Sequence, residues 1–360
     1  MSLEYNQKAV IKVFGIGGAG CNAVNRMFEE NIQGAEFYVC NTDIQVLEAS
    51  KVTNKIVLGQ TITKGLGAGA NPEVGKKAAL ENQDEIKKLM EGADMIFIAA
   101  GMGGGTGTGA APVFAKIAKE IGALTVGIVT KPFDFEGKKR ITQSIIGLEQ
   151  LKEYVDSLII VSNNQLLNVI GNIPFTEAFK EADNVLRQGV QTIVDLIAVP
   201  YLINLDFADI RSVMEGQGSS LIGIGMANGD NRAIEAAQRA IQCPLLEAQI
   251  SGAKNAIINI TGGSDITIYE SSEAVKHIRA QAGEDIDIIY GIAINENIGD
   301  SVIVTVIATG FDLPNENSSQ LNTSMYSSKK TQNDSSVEMI KKEEVVVEHD
   351  SKIPDFFKNR

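Results

Sequence analysis

The chain has 360 residues, 44% apolar and 21% charged, a soluble globular profile with room for one large core or two ordinary ones. Its net charge of −13 argues against nucleic acid as a main partner, because phosphate backbones are gripped by clustered Lys and Arg. Two histidines rule out a histidine-rich metal site, three cysteines without paired spacing suggest reduced thiols in a cytoplasm, and neither a membrane span of roughly 18 apolar residues nor a secretory leader can be read.

In chain order, an apolar strand over 9–14 leads into Gly15-Ile16-Gly17-Gly18-Ala19-Gly20, which reads as a glycine loop before a helix from about Cys21 to Met27. Gly15 to Gly20 fits G-x-G-x-x-G, and Asp43 follows Gly20 by 23 residues, near the spacing of a dinucleotide-binding ribose acid. Strands are expected at 36–41 and 55–59, and a second glycine-rich loop runs from Thr63 to Pro72. A single dinucleotide site has no use for so many glycine loops. Nor is there a Walker A motif, because the spacing from Gly69 to Gly75-Lys76-Lys77 is wrong and no Ser or Thr follows to hold magnesium.

After a buried strand at 94–100 comes the most informative stretch, Gly103-Gly104-Gly105-Thr106-Gly107-Thr108-Gly109, with a helix expected from Ala110. Without Cβ atoms such a loop turns several N–H groups toward one anion, and the following helix dipole favours negative charge. The same order also suits a tight strand-to-helix turn that binds nothing. Strands at 124–130 and 157–162 complete an alternation that implies a parallel sheet with crossover helices.

From Pro174 to Val199 apolar residues recur at helical spacing for about seven turns, which reads as one long connecting helix. A second mixed unit follows Pro200, with a helix near 233–243 and strands at 255–261, 285–295 and 301–309. Between 313 and 335, 14 of 23 residues are Ser, Thr, Asn or Gln, too polar to offset their ordering entropy, so a flexible tether is expected. The terminal Ile353-Pro354-Asp355-Phe356-Phe357-Lys358-Asn359-Arg360 sets apolar anchors beside cations, as a short docking peptide would.

The Gly103–Gly109 stretch, with Gly15–Gly20 before it and Asn204-Leu205-Asp206-Phe207-Ala208-Asp209 after it, resembles the tubulin/FtsZ GTPase superfamily from about residue 9 to 312. The resemblance implies an α/β, tubulin-like fold: a parallel-sheet GTP-binding domain (1–173), a central helix (174–199) and a second α/β domain (200–312). A disordered linker (313–349) and a partner-binding peptide (350–360) follow. It implies a cytoplasmic GTPase that polymerises head to tail at the division site, without a membrane span of its own. Membrane-adaptor and regulatory division proteins would be met through Ile353, Pro354, Phe356 and Phe357.

By the same resemblance the phosphates of GTP or GDP are met by Gly17, Gly18 and Gly20, by Ala68, Gly69 and Asn71, and by Gly104, Gly105, Thr106 and Gly107. Glu136 and Arg140 serve the ribose, where a solvated charged turn is the plain alternative. Asn22, Asn163 and Asp183 hold guanine with Phe179 packed on the ring. A carboxylate at Asp183 accepts from N1–H and the exocyclic amine together, which adenine cannot offer. Catalysis is supplied by Asp206 and Asp209, with Asn204, from the neighbouring subunit, while Mg2+ rides mainly on the phosphates and water. Bottom-up, Asp206 and Asp209 also fit an N-cap and its N3 partner. Asn41 and Asp43 fall near the subunit contact.

Some positions depart from the family pattern: Tyr201 after Pro200, Ser162-Asn163-Asn164, and Ser219-Ser220-Leu221-Ile222. They bear on turnover more than on binding. A polymeric scaffold with negligible turnover and a dinucleotide oxidoreductase are the competing functions.

Overall fold

A computed structural model describes residues 9–170, 174–198, 206–243, 250–283 and 285–311. Asn204, Pro200 and Tyr201, the segment 313–349 and the terminal peptide lie outside the described residues.

The first half alternates strand and helix: β1 (Ile11–Ile16), α1 (Gly17–Glu29), β2 (Ala35–Asn41), α2 (Ile44–Ala49) and β3 (Asn54–Val57). Three helices, α3 (Gln60–Thr63), α4 (Pro72–Glu81) and α5 (Gln83–Met90), precede β4 (Met95–Gly101). Then come α6 (Thr106–Glu120), β5 (Leu124–Lys131), α7 (Lys138–Lys152) and β6 (Ser157–Ser162). After α8 (Asn163–Ile170) and the long α9 (Phe175–Ala198) the chain continues through α10 (Phe207–Met214), β7 (Gly218–Asn228) and α11 (Arg232–Ile241). It closes with β8 (Asn255–Gly262), α12 (Ile268–Ala282), β9 (Asp287–Ile294) and β10 (Ser301–Thr309).

The strands lie in the order β3-β2-β1-β4-β5-β6-β7-β10-β8-β9. From β3 to β6 every pairing is parallel. β7 joins β6 in parallel through Gly218, Ser219 and Ser220, then runs antiparallel to β10 through Leu221 to Asn228. The apolar runs of β1 and β4 are what a sheet covered on both faces requires, and their alternate residues feed opposite layers. Ile11, Val13, Met95 and Phe97 pack with α1 and α9, while Phe14, Ile16, Ile96 and Ile98 pack with α4, α5 and α6. A third core sits between α11, α12 and the strands β8 and β10.

Several boundaries differ from the sequence expectation, each for a physical reason. The Gly15–Gly20 segment is not a loop: Gly15 and Ile16 complete β1 in register with Val39 and Cys40, and α1 starts at Gly17. Likewise α6 starts at Thr106 rather than Ala110, so half of the glycine stretch is its first turn. A buried helix end packed close to β4 has no room for Cβ atoms, and helix propensity yields to that packing. The strand β7 and the helix α12 stand where no element was expected.

Chain order reverses beside β1: β2 and β3 lie on one side, and β4 returns on the other. The carboxyl ends of β1 and β4 therefore open a crevice at a topological switch point, where α/β sheets hold ligands.

Candidate functional site

Two helix N-termini meet in that crevice, those of α1 and α6, and neither receives a side-chain cap. Their first N–H groups are orphan donors backed by aligned dipoles, which favours an anion between them. A cavity of about 260 Å3 opens there, lined at this end by Gly18, Ala19, Gly101, Met102, Gly104, Gly105, Thr106 and Gly107.

The glycines divide by what a side chain would meet. A Cβ on Gly20 would run into the carbonyl of Ala99, one on Gly107 into that of Gly101, and one on Gly109 into that of Pro72. Gly20 and Gly107 are small so that helix and strand can touch, and Gly109 so that α6 can lie against the start of α4. Gly18 and Gly104 differ: both line the cavity, and a Cβ on either meets nothing within 4 Å. Nothing in the protein itself demands glycine there, so the room belongs to whatever the cavity holds.

The loop before α4 sits behind this wall. Asn71 caps α4 by accepting from the Glu73 N–H at 3.1 Å, and a Cβ on Gly105 would come within 2.8 Å of Ala68 Cβ and 2.9 Å of Asn71 N. Ala68 and Asn71 thus press on Gly105 rather than line the cavity. Gly69 (φ +59°) makes the turn at the surface, beside Ala70, also left-handed at φ 55°.

At the middle of the cleft, Glu136 accepts from the Phe133 N–H at 2.9 Å and from the Arg140 guanidinium. The expected ribose pair is therefore self-paired across the first turn of α7. At the far end Asn163 and Asp183 are buried, and the Asn163 Oδ1 has no hydrogen-bond partner. A buried amide oxygen without a donor is an open recognition point. Asp183 stands 3.6 Å from Arg26 Nε, and burial pushes its carboxyl up to about 7 against the opposing pull of Arg26. Phe179 turns its ring edge-to-face to Phe133 at 5.2 Å. Asn22 lies just outside, in a hollow of about 770 Å3 that shares Phe179 and Asp183 with the inner cavity.

The cleft is thus long, with donors at one end and a carboxylate at the other. Arg26 escaped the sequence reading although it stands four residues after Asn22, one turn along the same helix face. Asp206 and Asp209 are in a different place. They form a reciprocal capping box on α10, with Asp209 N–H donating to Asp206 Oδ1 at 2.8 Å and Asp206 N–H to Asp209 Oδ2 at 3.3 Å. Both are exposed, and neither lines the cavity. Asn41 is buried and accepts from the Asp43 N–H, while Asp43 caps α2 through Gln45 N–H. No group of three His, Cys, Asp or Glu able to hold a metal exists among the described residues. No described helix is long and apolar enough to cross a membrane.

Comparison with known proteins agrees with this architecture. Residues 10–171 match the model of the tubulin/FtsZ family GTPase domain, and residues 218–312 that of the FtsZ family C-terminal domain. An empty FtsZ dimer from M. jannaschii is 44% identical, with 85% of this chain and 89% of that one covered at a TM-score of 0.83. CetZ2 from Haloferax volcanii, solved as a GTPγS-bound protofilament, is 20% identical and shares the fold at a TM-score of 0.72, over 83% of this chain and 92% of its own.

Proposed function

The chain belongs to the FtsZ family of tubulin-like GTPases, and from that premise we propose that its GTPase site is completed between subunits stacked head to tail. The observation that carries this is a division of labour. The phosphate end of the cleft holds N–H donors and a threonine but no carboxylate, since Glu136 and Asp183 stand further along. Two aspartates stand instead on a rigid, capped helix at the surface, facing solvent. A neighbour's Asp206 and Asp209, with Asn204 on the same segment, would orient and polarise the attacking water.

Two exposed apolar surfaces suit such a contact. Leu66 (83% exposed), Ile62 and Phe135 border the nucleotide side, and Ile268 (87% exposed) and Tyr269 open α12. Different patches on one molecule make a heterologous contact, which propagates into a filament. The FtsZ dimer and CetZ2 protofilament structures support the same reading.

Gly18, Gly104, Gly105, Thr106 and Gly107 line the cleft and take the phosphates with Gly17 at the first turn of α1 beside them, while Gly20, Ala68 and Asn71 shape that wall from behind and Gly69 makes the turn between the last two. Glu136 and Arg140 exchange part of their mutual pairing for the ribose. Asn163 and Asp183 read guanine, Phe179 packs on it and Asn22 borders it. Mg2+ would be carried mainly by the phosphates and water, where it would neutralise their charge. The terminal peptide would bring filaments to adaptor proteins at the division site.

The test is phosphate release from GTP with magnesium over protein concentrations from far below to well above micromolar. Activity should be negligible at low concentration and rise steeply past a threshold. Strict proportionality would mean that each subunit carries a complete site.

A further inference from the structure

Thr42 directly follows β2 and has no exposed surface, and its Oγ1 lies 2.7 Å from the Oγ1 of Thr106. Thr106 begins α6 and lines the inner cavity. The Thr42 carbonyl accepts from the Gly67 N–H at 3.0 Å. Its neighbours continue that attachment: Asp43 bridges Leu66 in antiparallel fashion, and the Ile44 N–H donates to the Gly65 carbonyl at 3.1 Å. One buried residue therefore touches the cavity wall with its side chain and holds the loop bearing Leu66 with its main chain. Ile44, Ile62 and Leu66 form an exposed apolar lip on that loop and beside it.

The hydroxyl pair has two protons, and only one can lie between the oxygens. An anion against Thr106 draws that residue's proton toward itself, so Thr106 can then only accept from its neighbour. Thr42 is shut off from water and becomes the donor that satisfies it.

We propose that Thr42 is a positioning residue that couples occupancy of the cavity to the apolar lip: its hydroxyl supports Thr106 against a phosphate while its carbonyl fixes the Gly65–Gly67 loop. The inference rests on the reading that a phosphate of GTP lies against Thr106. It concerns the link from that contact to the surface.

Two quantities test it on the full chain: GTP affinity measured below the assembly threshold, and the threshold itself from phosphate release against protein concentration. Thr42→Val, which keeps the shape and removes the hydroxyl, should weaken GTP binding about fivefold, the worth of one neutral hydrogen bond, and raise the threshold at least as much. Thr42→Ser should hold both within about twofold of the unaltered chain. Thr42→Ala removes the same hydroxyl without the added methyl and should follow Thr42→Val if the latter folds poorly. A Thr42→Val/Thr106→Val double variant should fall no further than Thr106→Val alone, because the hydroxyls act as a pair. Unchanged affinity in both Thr42→Val and Thr42→Ala would overturn the proposal. So would Thr42→Ser being as impaired as Thr42→Val, since the hydroxyl it retains would then not support the site, or reduced affinity with an unmoved threshold. Failure of the unaltered chain to bind GTP would overturn the function and this inference together.

Discussion

Asp183 is the residue whose chemistry is most sensitive to conditions. Burial holds its carboxyl up to about 7, and only the ionised form accepts two donors from a guanine edge. The sign follows: lowering the pH through 7 protonates the free site and removes the acceptor, so GTP affinity should fall between about pH 8 and pH 6. Asp183→Asn should bind GTP more weakly and lose that pH dependence, which titration of a fluorescent GTP analogue would measure. A dependence equally steep in the variant would assign it to another group. The glycines give a second test. Gly104→Ala meets open space, so its melting temperature should stay within about 2 °C of the unaltered chain while GTP affinity drops at least tenfold. Gly109→Ala would drive a Cβ into the Pro72 carbonyl and should cost about 1–3 kcal/mol of stability by denaturant unfolding. The sequence put all these glycines in one cradle. Only the fold separates those that make room for a ligand from those that make room for the protein.

Among the elements, α10 combines two properties that the sequence offered as alternatives. Its capping box satisfies the orphan N–H groups of the first turn, so the aspartates have a full structural reason to be where they are. Asparagine caps nearly as well as aspartate, and Asp206→Asn should therefore keep thermal stability while lowering GTP turnover above the threshold by about 100-fold or more. Asp209→Ala should likewise leave GTP binding nearly intact. Turnover that survives both changes would leave the pair a capping role only. The legibility of elements followed burial. β1, β4 and β5 are covered on both faces and stood out as apolar runs. β7, Gly218–Asn228, holds three glycines and two serines, a composition poor in strand propensity, and is a strand because β6 and β10 pair with it. Gly225 is small for a reason invisible in the sequence: a side chain there would strike the Ala236 carbonyl in α11.

For the whole molecule, the alternation of strands and helices up to Ser162 made the parallel sheet readable, and the apolar stripe of α9 made the long helix readable. What local patterns could not supply was how the later strands join the earlier ones. That depends on pairing between residues some sixty positions apart, such as Ser157 with Gly218, and on α9 sharing one core with Ile222, Ile257 and Ile307 as well as with β1 and β4. The site was readable in the same measure: the residue types came from motifs, and the Thr42–Thr106 and Arg26–Asp183 contacts came only from the folded chain. The way β7 is shared has a mechanical meaning. In the proposed filament a subunit would transmit tension from one end of its sheet to the other, and among the described residues β6 meets β7 through three residue pairs, the Gly218 N–H on the Asp156 carbonyl at 2.8 Å and one serine–serine bond at 2.6 Å. Load applied along such a filament would concentrate at Ser157 and Ser220, making that seam the place where a stretched subunit yields first and α9 the spring that pulls it closed.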